Sequence, residues 1–466
     1  MSPLEFDHGY QSPYSWRYGT AEMRRVWGER RKRELWRQIW VWLAEVQADY
    51  GLVSQRQLAE LREHCCQVDI RRSLEIEERI QHDLVAELKA FAAQCPQAGG
   101  VLHLGATSMD VKDNAAALQI KESLGLINQK TAAVLNSWKD LIQQYADTPV
   151  IAFTHLQPAE PTTLGYRLAH YAQDLLAGYQ TLREIESSWK GKGFTGAVGT
   201  SASFQDLIGA ENLNSFQGKL AEKLGISFYP VVSQTYPRSQ EYRLLSELSG
   251  LGAVLYKFAF DLRFLQTPPV AEWSEPFGSQ QVGSSAMPFK RNPIQSEKMD
   301  SLGRLLAQLP RVAWDNAAHS LLERTLDDSA NRRTILPEGF LMLDEMLSIT
   351  HRLLEGMEFY PAGMTANLEK YGPFAGTERV LMALVKKGAD RQEMHERIRK
   401  ISLKAWEIVQ AGKENPLPEL LSEDLEIAEL LPPGRIRELL NVRQYLGDAP
   451  RRARDLARMI EESEVG

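Results

Sequence analysis

The chain has 466 residues, enough for two or three domains with a substantial hydrophobic core. Its hydrophobic content of 43% and charged content of 25% are typical of a soluble globular protein, and its net charge of −7 argues against binding to nucleic acid. The most apolar window, residues 251–265, contains Lys257, Asp261 and Arg263, so we expect no membrane span.

The cysteines and the first residues of the chain indicate a compartment. Cys65, Cys66 and Cys95 form neither a disulfide framework nor a spacing that suits a metal site. Residues 1–10 lack the basic stretch and the apolar run of a secretory signal. We therefore predict a reducing, cytoplasmic environment and no bound metal.

Helical periodicity runs through most of the chain. Over residues 34–50, Leu35, Ile39 and Leu43 recur on one face, and Gly51 marks the end of the helix. Alternating strand patterns are nearly absent. Further helices are predicted over about 81–94, 112–146, 158–190, 237–266, 294–322 and 333–357.

The last five of these predicted helices are roughly 25–35 residues long, far above the mean, which favours a helical bundle. Pro310 should kink the fourth of them, and the polar stretch before Ile335 should separate it from the fifth. Several carry apolar residues on more than one face, which predicts oligomerisation through the bundle. Beyond Pro361, shorter helices should be broken at Gly372-Pro373 and at later prolines. We predict an all-α chain with an N-terminal helical domain (1–108), a central long-helix bundle (109–360) and a C-terminal helical cap (361–466).

A polar loop at residues 283–293 has the sequence Gly-Ser-Ser-Ala-Met-Pro-Phe-Lys-Arg-Asn-Pro. Asn292 is a good helix N-cap and Pro293 suits the first helical position, so a helix should follow directly. A cation-bearing loop at a helix N-terminus can hold an anion. The plainer interpretation is an ordinary connector, and the density of functional groups weighs against it.

Further polar clusters interrupt the helical pattern. Each one alone has an ordinary structural explanation, such as a helix cap or a solvated, ion-paired surface. Together they supply arginines and hydroxyls that suit phosphate and carboxylate groups, and histidines that transfer protons near neutral pH. Motifs for ATP, dinucleotide, zinc or calcium binding are missing from the sequence, so we predict acid–base chemistry without a cofactor. The clusters are residues 15–18, 81–83 with 103–108, 154–158, and 323–333.

The sequence of the 283–293 loop resembles the signature of the fumarase/aspartase superfamily, whose members eliminate fumarate from succinyl substrates. The segments His-Leu-Gly-Ala-Thr-Ser (103–108), Thr-His-Leu-Gln-Pro (154–158) and Thr-Leu-Asp-Asp-Ser-Ala-Asn-Arg-Arg (325–333) narrow the resemblance to the adenylosuccinate lyase family. The resemblance covers essentially the whole chain. It implies an all-α fold, a homotetramer with a twenty-helix core, and active sites that each take residues from three subunits.

The resemblance also implies a reaction. Enzymes of this family cleave adenylosuccinate to AMP and fumarate, and the succinylcarboxamide ribotide SAICAR to AICAR and fumarate. A base removes a proton from the succinyl carbon beside a carboxylate, a carbanionic intermediate follows, and an acid protonates the departing nitrogen. By position, Ser284 is the base and His155 the acid, oriented by Glu297. Lys290 would stabilise the serine alkoxide, and His82 is a further active-site histidine that contacts the substrate near its phosphate.

The remaining matches are substrate contacts. Two positions depart from the family pattern, since Gln81 and Lys298 stand where arginine is usual or frequent, and each exchange removes bidentate capacity. The resemblance assigns the succinyl carboxylates to Thr107, Ser108, Thr154, Lys290 and Asn292. It assigns the nucleotide and its phosphate to Arg17, Tyr18, Arg324, Ser329 and Arg333, with Gln81, Asp83, Gln234 and Lys298 as further substrate contacts.

Alternatives remain at each level. A nucleophilic serine that forms an acyl-enzyme is the other chemistry open to the loop, but the loop lacks the strand–turn–helix context of that mechanism. A related lyase, such as argininosuccinate lyase or a carboxymuconate cycloisomerase, shares the loop and the fold, but residues 325–333 fit a nucleotide phosphate. A non-catalytic structural oligomer is a third reading, against which the intact Ser284, His155 and Lys290 weigh.

Overall fold

Helices form almost all of the regular structure in the computed structural model, which describes residues 9–463, and the predicted all-α class is confirmed. Residues 1–8 and 464–466 lie outside this range. They include the two ends of the predicted terminal domains. They also include most of residues 1–10, in which no secretory signal was predicted. None of the helices in residues 9–463 combines the length and apolar character that a membrane span requires. The helices are α1 (Ala21–Val26), α2 (Glu29–Ala48), α3 (Gln55–His64), α4 (Ile70–Ile80), α5 (Asp83–Gln94), α6 (Ser108–Gln144), α7 (Leu164–Ser188), α8 (Ala202–Ile208), α9 (Leu213–Leu224), α10 (Ser239–Leu265), α11 (Ile294–Leu306), α12 (Leu309–Ala318), α13 (Asp327–Gly356), α14 (Pro361–Lys386), α15 (Arg391–Gln410), α16 (Leu417–Ser422), α17 (Leu425–Leu430), α18 (Pro433–Leu440) and α19 (Ala449–Glu462). The strands are β1 (Pro149–Thr154), β2 (Gln157–Thr163), β3 (Lys190–Gly191), β4 (Ser227–Phe228), β5 (Trp273–Ser274) and β6 (Glu358–Phe359).

The chain forms two compact units, and α6, α7, α10, α11 and α13 carry residues of both. The predicted domain boundaries after residues 108 and 360 stay a prediction. Within the described range, the first unit contains the residues up to Thr131, Gly178–Ala253 and Ser301–Ser348. The second unit contains Ala132–Ala177, Val254–Asp300 and the residues from Ile349 onward.

The prediction of five long central helices is confirmed with two changes. The fourth is interrupted, because α11 ends at Leu306 and α12 begins at Leu309, with Pro310 in its first turn. Proline lacks the N–H that would continue the helix, so a full break replaces the expected kink. The fifth, α13, begins at Asp327, so much of the polar stretch predicted as a break before Ile335 is helical.

The prediction of a helix from about residue 158 is wrong for its first turns, which instead form a hairpin. Strands β1 and β2 pair antiparallel, with Phe153 opposite Pro158 and Ile151 opposite Pro161. Proline has no backbone N–H, so it cannot donate the hydrogen bond that a helix or a central strand requires. A two-stranded ribbon leaves one side of each strand unpaired, and a missing N–H on that side costs nothing. Helix α7 therefore starts only at Leu164. Strands β3 and β4 pair parallel, and β5 and β6 pair antiparallel, over two residues each.

The prediction of a helix break at Gly372-Pro373 is also wrong, because α14 continues through both residues. A Cβ on Gly372 would lie 2.7 Å from the side chain of Val442, and one on Gly376 would lie 2.7 Å from the backbone of Leu440. These glycines therefore permit close packing against α14. The adjoining core contains Val380, Leu384, Leu417, Leu421, Ile427 and Ile436.

In the first unit, α2 buries the apolar face that the sequence predicts. The same helix buries Arg33 and Arg37, which donate hydrogen bonds to the Glu87 carboxylate on α5 at 3.1 Å and 2.6 Å. A buried carboxylate between two guanidinium groups is compensated, so these charges tie α2 to α5.

Candidate active site

A buried charge network fixes the first turns of α13 in the first unit. The guanidinium of Arg238 donates to Asp328 Oδ2 at 2.7 Å and to both Asp113 oxygens at 3.1 Å. Arg332 Nε donates to Glu241 Oε2 at 2.9 Å. Burial favours the neutral acid, yet Arg238 and Arg332 hold the pKa of Asp328 below its usual range. Loss of any partner would leave a buried charge without its counter-charge. This network therefore holds α13 firmly against α6 and α10.

Ser329 and Arg333 lie four residues apart on α13, and both line a cavity of about 170 Å³. Arg333 Nη2 donates to Asp83 Oδ2 at 3.0 Å, and Lys112 Nζ donates to the two Asp83 oxygens at 3.0 Å and 2.7 Å. Burial acts to raise the pKa of Asp83, but Lys112 and then Arg333 lower it, and the net shift is downward. Asp83 is therefore a carboxylate that bridges two cations at the cavity wall.

Three other predicted substrate contacts use their side chains within the first unit. Arg324 Nη1 donates to Asp328 Oδ1 at 2.8 Å, which joins it to the buried charge network. Gln234 Nε2 donates to a backbone carbonyl at 3.2 Å. Gln81 Nε2 donates to the Glu78 carbonyl at 2.7 Å and so caps the end of α4.

The start of α6 lies beside His82. Thr107 precedes the helix, and its N–H donates to Asp110 Oδ2 at 2.8 Å; Asp110 is itself buried in an ion pair with Lys192. Ser108 Oγ lies 3.5 Å from His82 Nε2. His82 Nδ1 accepts a backbone N–H of α5 at 3.3 Å, so the ring proton sits on Nε2, the atom nearest the hydroxyl.

Arg17 and Tyr18 lie on a short turn before α1. Their N–H groups donate to the Pro13 carbonyl at 2.7 Å and 3.1 Å. Arg17 is exposed with its guanidinium 5.5 Å from the Trp16 ring centroid, and the Tyr18 ring lies 5.6 Å from that of Tyr14. The turn presents a cation and a phenol on the surface of the first unit.

In the second unit, His155 occupies the tip of the β1–β2 hairpin. Thr154 pairs with Gln157, so His155 and Leu156 form a two-residue loop. Both loop residues have positive φ, 52° and 59°, a conformation in which Asn-Gly is the usual sequence. A residue with a Cβ costs on the order of 1–2 kcal/mol there, and such strain is concentrated at functional sites. The exposed imidazole is thus held on a short and strained turn.

The 283–293 loop is built around the Ser284 hydroxyl. Its Oγ accepts the N–H groups of Ala286 at 3.3 Å and Met287 at 3.1 Å. Two donors aimed at one hydroxyl oxygen favour its deprotonated, negative form. Asn292 Nδ2 donates to the Gly283 carbonyl at 2.9 Å and ties the two ends of the loop together.

The helix after the loop begins at Ile294, and the expected N-cap role of Asn292 is wrong, because the carboxylate of Glu275 accepts the N–H groups that a cap would take. The N–H groups of Gln295 and Ser296 donate to the Glu275 carboxylate at 3.1 Å and 2.6 Å. Burial raises the pKa of Glu275, although these hydrogen bonds act in the opposite direction. The chain's own carboxylate therefore occupies the helix terminus at which the sequence suggested an external anion.

Lys290 and Glu297 are both exposed in the second unit, and Lys298 is half-buried in the second turn of α11. Glu297 Oε1 lies 3.9 Å from Arg263 Nη2. In residues 9–463 no hydrogen bond joins Glu297 to His155, so the expected carboxylate–histidine pair is not formed within the chain.

The structure thus gathers part of the predicted site. In the first unit it groups His82 with Ser108, and Asp83 with Arg333, while Ser329 shares the cavity with the latter pair. Sequence reasoning missed several supporting residues. Helical spacing could have found Lys112, one turn after Ser108, but the burial of charged groups gives no sequence signal. The missed residues are Lys112, Asp113, Arg238, Glu241 and Glu275, whereas Asp328 and Arg332 lie in the predicted 323–333 cluster but had no assigned role.

The fold matches that of solved enzyme structures. A fumarate lyase from Mesorhizobium sp. BNC1 superposes with a TM-score of 0.84 at 24% identity, covering 97% of this chain and 99% of its own. The 3-carboxy-cis,cis-muconate lactonizing enzyme from Pseudomonas putida gives a TM-score of 0.86 at 23% identity, covering 97% and 100%. The likeness to these structures establishes the fold of the fumarase/aspartase superfamily.

Sequence comparisons narrow the class. The family model described as "Lyase" matches residues 26–305, and the model for the adenylosuccinate lyase C-terminus matches residues 373–456. The chain is 39% identical to the adenylosuccinate lyase of Schistosoma mansoni over 91% of this chain and 90% of that protein. It is 36% identical to that of Saccharomyces cerevisiae, covering 95% and 92%. The chain belongs to the adenylosuccinate lyase family and is a carbon–nitrogen lyase, as the resemblance implied.

Proposed function

We propose that this lyase eliminates fumarate from adenylosuccinate, giving AMP, and from SAICAR, giving AICAR, in purine nucleotide biosynthesis. The adenylosuccinate lyases to which the chain is similar support this choice of substrate. Within the chain, the observation that carries the chemistry is the Ser284 hydroxyl, whose oxygen accepts two backbone N–H groups.

Ser284 is the general base. A serine hydroxyl is a poor base in its neutral form, so it must first lose its proton. The N–H groups of Ala286 and Met287 stabilise the alkoxide, and the Lys290 ammonium in the same loop adds positive charge. The alkoxide then takes a proton from the succinyl carbon beside a carboxylate and leaves a carbanionic intermediate.

His155 is the general acid. As the C–N bond breaks, the departing nitrogen needs a proton, which an imidazolium supplies near neutral pH. The two-residue turn holds His155 at a defined point without a long flexible connection. Proton transfer to the nitrogen completes the release of fumarate and the amino product, and Glu297 orients the imidazole.

The charged groups of the substrate have separate partners. Because the buried charge network fixes α13, Ser329 and Arg333 meet a phosphate without reorganising. Arg17, Tyr18 and Arg324 complete the contacts to the nucleotide. The succinyl carboxylates are held by Thr107, Ser108, Thr154, Lys290 and Asn292.

The active form is a cytoplasmic homotetramer whose sites combine residues of different subunits. Within residues 9–463 no hydrogen bond joins His155 to Glu297, which supports sharing, since a second chain can supply the carboxylate for His155. Leu156 at the hairpin tip is 70% exposed and Phe289 in the loop is 82% exposed, which is apolar surface that a neighbouring subunit would cover. The three free cysteines suit a reducing cytoplasm.

Incubation with adenylosuccinate tests the substrate, with fumarate and AMP measured as products in equal amounts. Turnover of argininosuccinate in place of adenylosuccinate would assign the chain to a related lyase. Absence of turnover with every succinyl substrate would favour the non-catalytic oligomer.

Mixing two inactive variants tests the shared site. Tetramers of Ser284→Ala and of His155→Ala are each expected to be inactive. After subunit exchange, some sites of the mixed tetramers regain both native residues, and activity returns. Persistent inactivity, with exchange demonstrated by mass spectrometry, would place each site within one chain.

A further inference from the structure

Lys112 is a cation at the cavity wall that belongs to none of the sequence motifs. It lies on α6 one helical turn after Ser108, so the two side chains share a face of the helix. Its ammonium is 2.7 Å and 3.0 Å from the two Asp83 oxygens, and its side chain remains 24% exposed. It lines the cavity of about 170 Å³ together with Ser329 and Arg333.

The charges on this wall do not balance. Asp83 carries one negative charge and contacts two cations, Lys112 and Arg333, which leaves one positive charge in excess. Lys32 and Glu29, which also line the cavity, pair with each other, and the lining Arg332 is paired with Glu241, so none of these changes that excess. An ammonium has three N–H donors, of which Asp83 takes two, and a guanidinium has five. The wall therefore suits an anion with several acceptor oxygens.

Gln81 does not supply a cation of its own. It ends α4 with a φ of 55°, and its amide is committed to the Glu78 carbonyl at 2.7 Å. The guanidinium that the family usually carries at this position is absent. Asp83 lies two residues after Gln81 in the chain. The ammonium of Lys112 on α6 lies beside the Asp83 carboxylate and supplies a cation there instead.

We propose that Lys112 binds the phosphate of the nucleotide substrate together with Ser329 and Arg333, and takes over the charge lost at Gln81. The inference rests on the proposed function, since it takes the substrate to be a nucleotide. Asp83 positions the ammonium, and the excess positive charge remains for the ligand. The three terminal oxygens of a phosphate accept from an ammonium, a guanidinium and a hydroxyl at the same time.

The test compares AMP binding to the full wild-type chain and to Lys112→Met by calorimetric titration. Methionine keeps most of the length of the side chain and removes its charge. The dissociation constant for AMP is expected to rise about tenfold or more, as for one lost charge-assisted hydrogen bond. The dissociation constant for adenosine, which lacks the phosphate, is expected to change less than about twofold.

Three further variants separate binding from structure. Lys32→Met combined with Glu29→Gln removes the neighbouring ion pair from the same cavity wall without changing its net charge, and should leave AMP affinity within about twofold. Lys112→Gln keeps a donor for Asp83 and should lose AMP affinity like Lys112→Met. Adding Gln81→Arg to Lys112→Met should restore most of the affinity, since it places a guanidinium two residues before Asp83, which lines the wall.

Unchanged AMP affinity in folded Lys112→Met or Lys112→Gln would overturn the inference, and so would an equal loss for AMP and adenosine. Weaker binding of fumarate with unchanged binding of AMP would place Lys112 at the carboxylate end and also overturn it. These outcomes leave the proposed function intact. The proposed function fails separately if the wild-type chain neither binds AMP nor cleaves adenylosuccinate.

Discussion

The predicted phosphate contacts and the predicted proton-transfer groups are held in different ways. Ser329 and Arg333 stand on α13, whose start is fixed by the buried charge network. Ser284 and His155 stand on an exposed loop and on a two-residue hairpin tip, where local backbone geometry alone sets their positions. The first region is rigid through burial, and the second is rigid only through short turns.

The difference indicates a division of labour. Groups that bind a preformed charge gain from a fixed position, because no reorganisation opposes binding. Groups that transfer protons need access to the reacting carbon and nitrogen, and exposed turns on a rigid scaffold provide that access. Changes in the two regions should therefore affect different quantities: stability and affinity in one, the rate of the chemical step in the other.

Replacement of the proposed base should have the largest effect. Ser284→Ala removes the oxygen that takes the proton, so kcat should fall by on the order of 10³–10⁴, as for loss of an acid–base group. The rate of fumarate release, followed by ultraviolet absorbance, measures the change.

The adjacent hydroxyl provides the matched control for that experiment. Ser285→Ala removes the same atoms one residue later and should keep turnover within a few-fold. Near-normal turnover in Ser284→Ala, or an equal loss in both variants, would show that the base has been assigned wrongly.

Removal of Arg238 should break the rigid region. Arg238→Met leaves the carboxylates of Asp113 and Asp328 buried with one fewer cation, which should lower the free energy of unfolding by about 3–5 kcal/mol. Denaturant unfolding measures this. Exposed Arg311, paired with Asp315 on the surface, is the control, and Arg311→Met should cost less than about 1 kcal/mol. Equal stability of the two variants would show that the network does not hold α13.

Loss of a phosphate contact should change affinity more than rate. Arg333→Ala is expected to raise KM for adenylosuccinate about 10–100-fold, the effect of removing a charge-assisted hydrogen bond, with a smaller change in kcat. Steady-state kinetics separate the two constants. A fall in kcat with unchanged KM would contradict a binding role for Arg333.

Relief of the hairpin strain should have the smallest effect. Leu156→Gly removes the Cβ from a residue with a φ of 59° and should raise the free energy of unfolding by about 1 kcal/mol. Leu156→Ala keeps the Cβ and should give no such gain, so the pair separates backbone strain from loss of the leucine side chain. Equal stability of the two variants would mean that the turn is unstrained.

The sequence predicted the helical fold because periodic apolar residues and long stretches without prolines are local signals. It failed where local signals conflict with packing. Pro158 and Pro161 lie in a hairpin because a two-stranded ribbon tolerates prolines. Helix α14 continues through Pro373, and Gly372 and Gly376 on the same helix pack closely against Val442 and Leu440. A proline or a glycine in the sequence does not reveal which other segment of the chain packs against it.

The candidate site shows the same limit. The motif residues could be named from the sequence, since hydroxyls, histidines and arginines in such clusters suit an anionic substrate. Composition alone could not tell apart the roles of the adjacent and chemically identical Arg332 and Arg333, and only the family resemblance selected Arg333. Only the fold shows that Arg332, which also lines the cavity, is committed to buried Glu241, while Arg333 pairs with Asp83 at the cavity wall.

The central claim is that phosphate binding and proton transfer belong to separate regions of the chain. Calorimetric titration of Ser284→Ala with adenylosuccinate tests it most directly, because the variant alters only the proton-transfer region. We predict that the dissociation constant of adenylosuccinate for this variant stays within a few-fold of the dissociation constant of AMP for the wild-type chain. We also predict that fumarate forms on the order of 10³–10⁴ times more slowly than with the wild-type chain. Loss of adenylosuccinate binding in this variant, or fumarate release at the wild-type rate, would contradict the account.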